Sequence, residues 1–189
     1  MKIILFAKSS LYDMNKKLYK GMKLFFDKKN DIEIESNINL TLYDALEASK
    51  KEQILEEENS WYCKQCKELK KAGKKLEIYR APLYLIIQLK RFKYKGKKGY
   101  SLGNKNETFI EYNELLNLKD FIIGPDKDKY EYDLYGVAIH KQQINNSLYT
   151  AYCNNFGEWY LYNDRNVERI DNPINKDAYL LFYKRKNIE

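Results

Sequence analysis

The stretch Leu83-Tyr84-Leu85-Ile86-Ile87-Gln88-Leu89 follows Pro82 and carries the strongest strand signal in the chain. Its length, its β-branched pair and the proline before it fit a strand better than a helix. Its near-continuous apolarity predicts burial on both faces. Just upstream, Lys75-Leu76-Glu77-Ile78-Tyr79 alternates and predicts another strand. Just downstream, residues 93–108 are rich in Lys, Gly and Asn and predict a loop. The apolar run Leu115-Leu116-Asn117-Leu118 is too short to assign.

The last third extends the strand pattern. Residues 130–140, 148–154, 158–163 and 178–184 all show period-two or short apolar patterns rich in aromatics. Asn155 and Gly157 mark a hairpin turn between two of them. The 18 tyrosines suit strands with one half-buried face. Toward the N-terminus, Thr41-Leu42-Tyr43-Asp44 reads as a helix start, with Thr41 as the cap and Asp44 near the positive end of the dipole. Leu42, Ala45, Leu46 and Ser49 then share one face, and the helix should end near Lys51. Within residues 1–40, Met22 to Phe26 could be a strand or a helix, and Ile32, Ile34 and Ile38 have strand spacing. The fold class is therefore α+β, an antiparallel sheet with a few helices.

Composition bounds the function. The chain has 189 residues, of which 44% are hydrophobic and 32% charged, enough for a packed core. No apolar run is long enough to cross a bilayer, and Met1 to Phe6 is too short for a signal-peptide core, so an intracellular place in cytoplasm or nucleus is expected. The net charge is +7. The lysines alternate with Glu, Asp and Asn and form no basic stripe, so a solvated surface outweighs nucleic-acid binding.

Two features could carry chemistry. Cys63 and Cys66 stand in a C-x-x-C knuckle, which suits half of a thiolate zinc site. A closed site needs two more ligands, and the other candidates, Cys153 and His140, lie far along the sequence. The knuckle follows an acidic loop rather than a strand, which disfavours a thioredoxin-like redox role. His140, the single histidine, ends an apolar strand, where a packed structural role outweighs catalysis. Residue chemistry alone supports no enzyme.

Several segments in series do resemble one family. The knuckle Leu55 to Cys66, the stretch Lys74 to Phe92, Tyr132 to His140, Tyr149 to Cys153, Trp159 to Asp164 and Ala178 to Tyr183 are similar, in order and spacing, to the C-terminal half of the ubiquitin-specific protease catalytic domain. The region round the knuckle looks closest to the subgroup with a long insert. The resemblance implies a hand-shaped, papain-like cysteine-protease fold, with residues 41–185 supplying palm and part of the fingers. Residues 1–40 are poorly assigned and 186–189 form a tail. The implied family activity is thiol-dependent hydrolysis after the C-terminal glycine of ubiquitin.

The departures are as informative as the matches. No segment corresponds to the family's thumb or its cysteine box, and the first cysteine pair of the zinc ribbon has no counterpart. The histidine that precedes the strand Tyr149-Thr150-Ala151-Tyr152 in the family corresponds to Leu148, while His140 falls on a different, non-catalytic histidine. Leucine has no proton-accepting atom, so thiol activation is expected to be lost. Asn163 matches the third triad position and Asp164 the polar residue beside it. The loop that would approach the ubiquitin tail, with Gln143, Asn145, Asn146 and Ser147, lacks the family's glycines. The expected function is an inactive ubiquitin-specific-protease-like protein that binds ubiquitin or a partner. The alternatives are a portion of a larger active deubiquitinase and, last, a lysine-rich nucleic-acid-binding module. Zinc is expected at Cys63 and Cys66 only if further ligands are supplied, and a missing thumb segment or companion chain is the expected partner of the palm.

Overall fold

The computed structural model describes residues 2–7, 40–55, 60–91, 105–142 and 147–186, the first of these as backbone. The elements run β1 (Lys2–Ala7), β2 (Leu40–Thr41), α1 (Leu42–Lys50), β3 (Gln53–Leu55), β4 (Trp61–Cys63), β5 (Glu68–Lys70), β6 (Ala72–Lys74), β7 (Tyr84–Lys90), β8 (Ile110–Glu111), β9 (Leu115–Asn117), β10 (Glu131–Gln142), β11 (Ser147–Asn155), β12 (Glu158–Asn163), β13 (Asn166–Ile170) and β14 (Ala178–Arg185). The expected strands or helix at Met22 to Phe26 and Ile32 to Ile38 lie outside the described residues.

An antiparallel sheet in the order β1-β7-β14-β10-β11-β12-β13 organises the chain, with β9 adding to β10. The α+β expectation holds. Alternation along β10 and β14 gives the sheet one packed face, on which Leu85, Ile87, Leu89, Val137, Ile139 and Leu181 are almost fully buried. Each such side chain contributes about 1.5–3 kcal/mol relative to leaving it in water. Leu42 and Leu46 of α1 add to the same core, together with Leu116, Leu118 and Phe121. The helix starts as its sequence dictates. Thr41 Oγ1 accepts from the Asp44 N–H at 3.1 Å, and the Asp44 carboxylate accepts from the Thr41 N–H at 2.8 Å. The Thr41 hydroxyl, which donates to the Asp44 carboxylate at 2.6 Å, and then the Thr41 N–H hold the Asp44 carboxyl below its usual pKa.

The tyrosines explain themselves in the core. Tyr112, Tyr132 and Tyr183 are almost fully buried, and each hydroxyl donates to a main-chain carbonyl, of Pro173, Pro82 and Asn113 respectively, at 2.7–2.9 Å. A buried hydroxyl without an acceptor would cost a large part of what its ring contributes. Burial also raises the pKa of all three, so each remains a neutral donor.

Two expectations need correction. The stretch 83–89 is not buried on both faces, because β7 alternates: Leu85, Ile87 and Leu89 are buried, Tyr84 is exposed and Ile86 and Gln88 are half-buried. Only one side of this antiparallel sheet is covered by the core. Residues 75–79 form no strand, since only Ile78 pairs, in a single parallel bridge to Ile122. The Ile123 N–H donates to the Ile78 carbonyl, which ties the segment to the turn after Phe121 instead of to a ladder. Several short strands went unforeseen, among them β3, β5, β6, β8 and β13. β13 pairs with β12 alone and exposes almost every residue, so it carries no apolar signal.

Candidate functional site

The strand pair β10–β11 fixes what the end of the sheet can do. Its register pairs Val137 with Tyr152, Ile139 with Thr150, His140 with Tyr149 and Lys141 with Leu148. Paired residues share a face, and faces alternate along a strand. Leu148, Thr150 and Tyr152 therefore lie on the face of Val137 and Ile139, and His140 and Tyr149 lie on the other. The next pair, β11–β12, sets Ala151 across from Tyr162. Continuing that register brings Asn163 opposite Thr150, on the same face as Leu148 and one diagonal step from it. Diagonal neighbours of this kind are within side-chain reach. Leu148 and Asn163 are both half-buried.

Asp164 follows in the β12–β13 turn, exposed and with a left-handed backbone (φ 52°), a conformation that Asp tolerates better than bulkier residues. Ser147 opens β11 and is exposed. Gln143, Asn145 and Asn146 lie outside the described residues. The structure thus sets Leu148 and Asn163 on one face, with Asp164 next in the exposed turn, and keeps the cysteines off that face. Cys153 stands on the opposite face of β11, half-buried, and Cys63 and Cys66 lie in a separate ribbon.

His140 is almost fully buried and stacks on the Tyr149 ring with centroids 4.4 Å apart. Burial, aided by the positive charge of Lys105, lowers its pKa. The Lys105 ammonium is itself buried, donating to the His140 carbonyl at 2.7 Å and to the Asp177 carboxylate at 2.5 Å. A second cation lies close by. Arg91 is 1% exposed and donates to the carbonyls of Ala178, Asn106 and Thr108 at 2.8–3.0 Å. Asn106 returns a main-chain hydrogen bond to the Arg91 carbonyl at 2.7 Å. Arg91 and Lys105 together fasten the chain that crosses from β7 toward β8 onto the ends of β10 and β14. Sequence reading missed Lys105 and Asp177, because Lys105 sits in a lysine-rich stretch where nothing local marks it as buried.

The knuckle forms the tip of a two-stranded ribbon. β3 pairs with β6, then β4 with β5, ending at Cys63 opposite Glu68. The turn closes through a hydrogen bond from the Lys67 N–H to the Cys63 carbonyl at 2.8 Å, with Lys67 in the left-handed region (φ 58°). The Cys66 N–H points at Cys63 Sγ, 3.4 Å away. Hydrogen bonds from the Cys66 backbone, the Cys66 thiol and the Gln65 backbone lower the Cys63 pKa and favour its thiolate. Two thiolates on one such turn fit half of a tetrahedral zinc site. Among the described residues no group of three or more His, Cys, Asp or Glu side chains gathers to complete one.

The sequence pattern of the family described as Ubiquitin carboxyl-terminal hydrolase matches residues 53–183. "Ubiquitin carboxyl-terminal hydrolase 4" of Bos taurus is 34% identical over 155 residues, covering 79% of this chain and 16% of that protein. "Ubiquitin carboxyl-terminal hydrolase 17-like protein B" of Mus musculus is 32% identical over 171 residues, covering 88% of this chain and 35% of that protein. Among solved structures, the SAGA DUB module of Ubp8, Sgf11, Sus1 and Sgf73 bound to monoubiquitin contains a chain similar at TM-score 0.62 and 30% identity, over 79% of this chain and 34% of that one. A structure of the yeast SAGA DUBm aligns at TM-score 0.64 with 30% identity. The chain spans roughly a sixth to a third of the length of these relatives.

Proposed function

The chain belongs to the ubiquitin carboxyl-terminal hydrolase family, and on that premise we propose that it is a palm-and-finger portion that binds ubiquitin without hydrolysing its C-terminal bond. One observation carries the proposal: Leu148 shares its sheet face with Asn163, while the single histidine points to the other face. Thiol activation needs a proton acceptor between the nucleophile and an orienting amide or carboxylate. Asn163 and Asp164 remain as orienting groups, and Leu148 between them and any thiol offers only carbon. None of the three cysteines faces Asn163.

Binding can outlive chemistry, because it depends on the sheet and ribbon surfaces rather than on a proton acceptor. The Ubp8 module bound to monoubiquitin supports ubiquitin as the ligand. The palm surface round Leu148, half-buried and partly apolar, supports a companion segment covering it, and without one the chain should self-associate. An intracellular place in cytoplasm or nucleus accords with these relatives, and no helix among the described residues is long and apolar enough to cross a membrane. The second reading is a portion of a longer hydrolase, favoured by the short span relative to relatives. It would need a proton acceptor from outside residues 147–163.

The test is a titration of isotope-labelled ubiquitin with the chain, followed by NMR. Shifts clustered on the ubiquitin tail and its neighbouring sheet are expected. Unchanged spectra at the highest concentration reached would reject ubiquitin binding.

A further inference from the structure

We propose that a small pocket between α1, β8 and β9 takes one lysine side chain of a partner polypeptide, with its alkyl stem on an apolar floor and its ammonium at Glu111. This stands apart from the ubiquitin reading and does not depend on it. β2 runs parallel to β8, pairing Thr41 with Glu111, and α1 begins at Leu42. From β8 the chain passes through Tyr112 and Asn113 toward β9. These segments line a pocket of about 110 Å³. Leu42, Tyr112 and Leu116 form its floor and are almost fully buried, while Leu115, also in the lining, is 46% exposed.

Size selects the guest. A closed apolar cavity of roughly 150 Å³ takes a benzene ring. This pocket is smaller, and the exposed Glu111, Asn113 and Leu115 leave it open on one side. It therefore suits a slender unbranched chain better than a ring. Lysine fits that description, because it lays its alkyl stem along apolar surface and keeps its charged head in water.

Charge selects the head group. Three hydroxyls of the lining are already engaged: Thr41 donates to Asp44, Tyr112 donates to the Pro173 carbonyl, and Tyr43 accepts from the Asn117 N–H. Glu111 is the one charged side chain in the lining. It is exposed, and among the described residues no hydrogen bond or ion pair engages its carboxylate. The Asp44 carboxylate offsets the positive end of α1, so Glu111 sets the sign of the pocket. An exposed ion pair adds little affinity alone. Here the floor supplies the contact and Glu111 the preference for a cation.

The isotope-labelled 189-residue chain is titrated with Nα-acetyl-lysine methylamide and, separately, with the norleucine and glutamate analogues, followed by NMR. Saturable shifts at the amides of Leu42, Glu111 and Leu116 are expected with the lysine probe. Norleucine should bind about 3-fold more weakly, the size of one exposed ion pair, and glutamate should leave these amides unmoved. Added salt should weaken lysine binding and not norleucine binding. Glu111→Gln, shown folded by circular dichroism, should bring lysine down to the norleucine affinity. No saturable shift at these amides, equal binding of lysine and norleucine, or unchanged lysine affinity in Glu111→Gln would overturn the proposal.

Discussion

His140 lies directly across the β10–β11 pair from Tyr149, their rings stacked with centroids 4.4 Å apart. The pairing fixes the frame of the whole strand. It sends Tyr149 and the histidine to one face and leaves Leu148 facing the side that Asn163 occupies. The single imidazole is thereby packed against Tyr149 on the face opposite Leu148 and Asn163.

This geometry predicts the outcome of a transplant. Residues 41–185, placed in a family member that keeps its cysteine box, should give a folded but inactive hydrolase. Adding Leu148→His to the same chimera should raise kcat/KM on a ubiquitin-amide substrate by about 100-fold or more, the range that a positioned general base supplies. Hydrolysis by the chimera that retains Leu148 would contradict the proposed loss of chemistry.

The buried imidazole also predicts a pH dependence of stability. Burial and Lys105 lower the pKa of His140 in the folded state, relative to about 6.5 in an unfolded chain. Its contribution is therefore fully present above that unfolded value and is lost as pH falls through the lower folded value. The unfolding midpoint should drop when pH is taken from ~7.5 to ~5.5, and His140→Gln should flatten that part of the profile. Differential scanning calorimetry across the range checks both.

The Lys105–Asp177 pair should behave as a buried ion pair. Burial opposes the Asp177 charge, yet the Lys105 hydrogen bond and charge hold its carboxyl below the usual pKa. Lys105→Met leaves that carboxylate without its cation and should cost about 3 kcal/mol. Lys105→Met with Asp177→Asn should cost less than Lys105→Met alone, because no uncompensated charge remains. Urea denaturation of the three proteins gives the comparison, and a double variant less stable than the single one would reject this account.

Arg91 holds three carbonyls from two segments of chain. Arg91→Ala strips all three of their donor and opens a space in the core, so a loss of at least about 3 kcal/mol is expected. Arg91→Lys should recover only part of it, because an ammonium cannot reproduce the planar fork. Equal stability of the alanine variant and the parent would show that the carbonyls find other donors.

Much of this was legible in the residues themselves. Thr41 and Asp44 announced the helix because capping depends on two residues three positions apart, and the strands at 130–140, 148–154, 158–163 and 178–184 announced themselves by alternation, a strictly local pattern. The proposed role of Leu148 rests on a short motif as well, since its neighbours Tyr149 to Tyr152 set its place beside the strand.

The tertiary structure decided what local pattern cannot carry. β7 reads as apolar throughout, yet only one of its faces meets the core, because coverage depends on which elements lie over the sheet. β13 is invisible in sequence, since an edge strand is held by its ladder to β12 and buries little. Lys105 looks like one more surface lysine until the fold sets Asp177, 72 residues away, and the His140 carbonyl round its ammonium. The sequence by itself determined the family, the strands of the last third and a leucine, not an imidazole, at position 148. Only the tertiary structure decided that Leu148 and Asn163 share a face, that His140 and Cys153 both lie on the opposite one, and that no third ligand gathers at the two thiols of the knuckle among the described residues, because register, burial and long-range charge pairing exist only once distant segments are brought together.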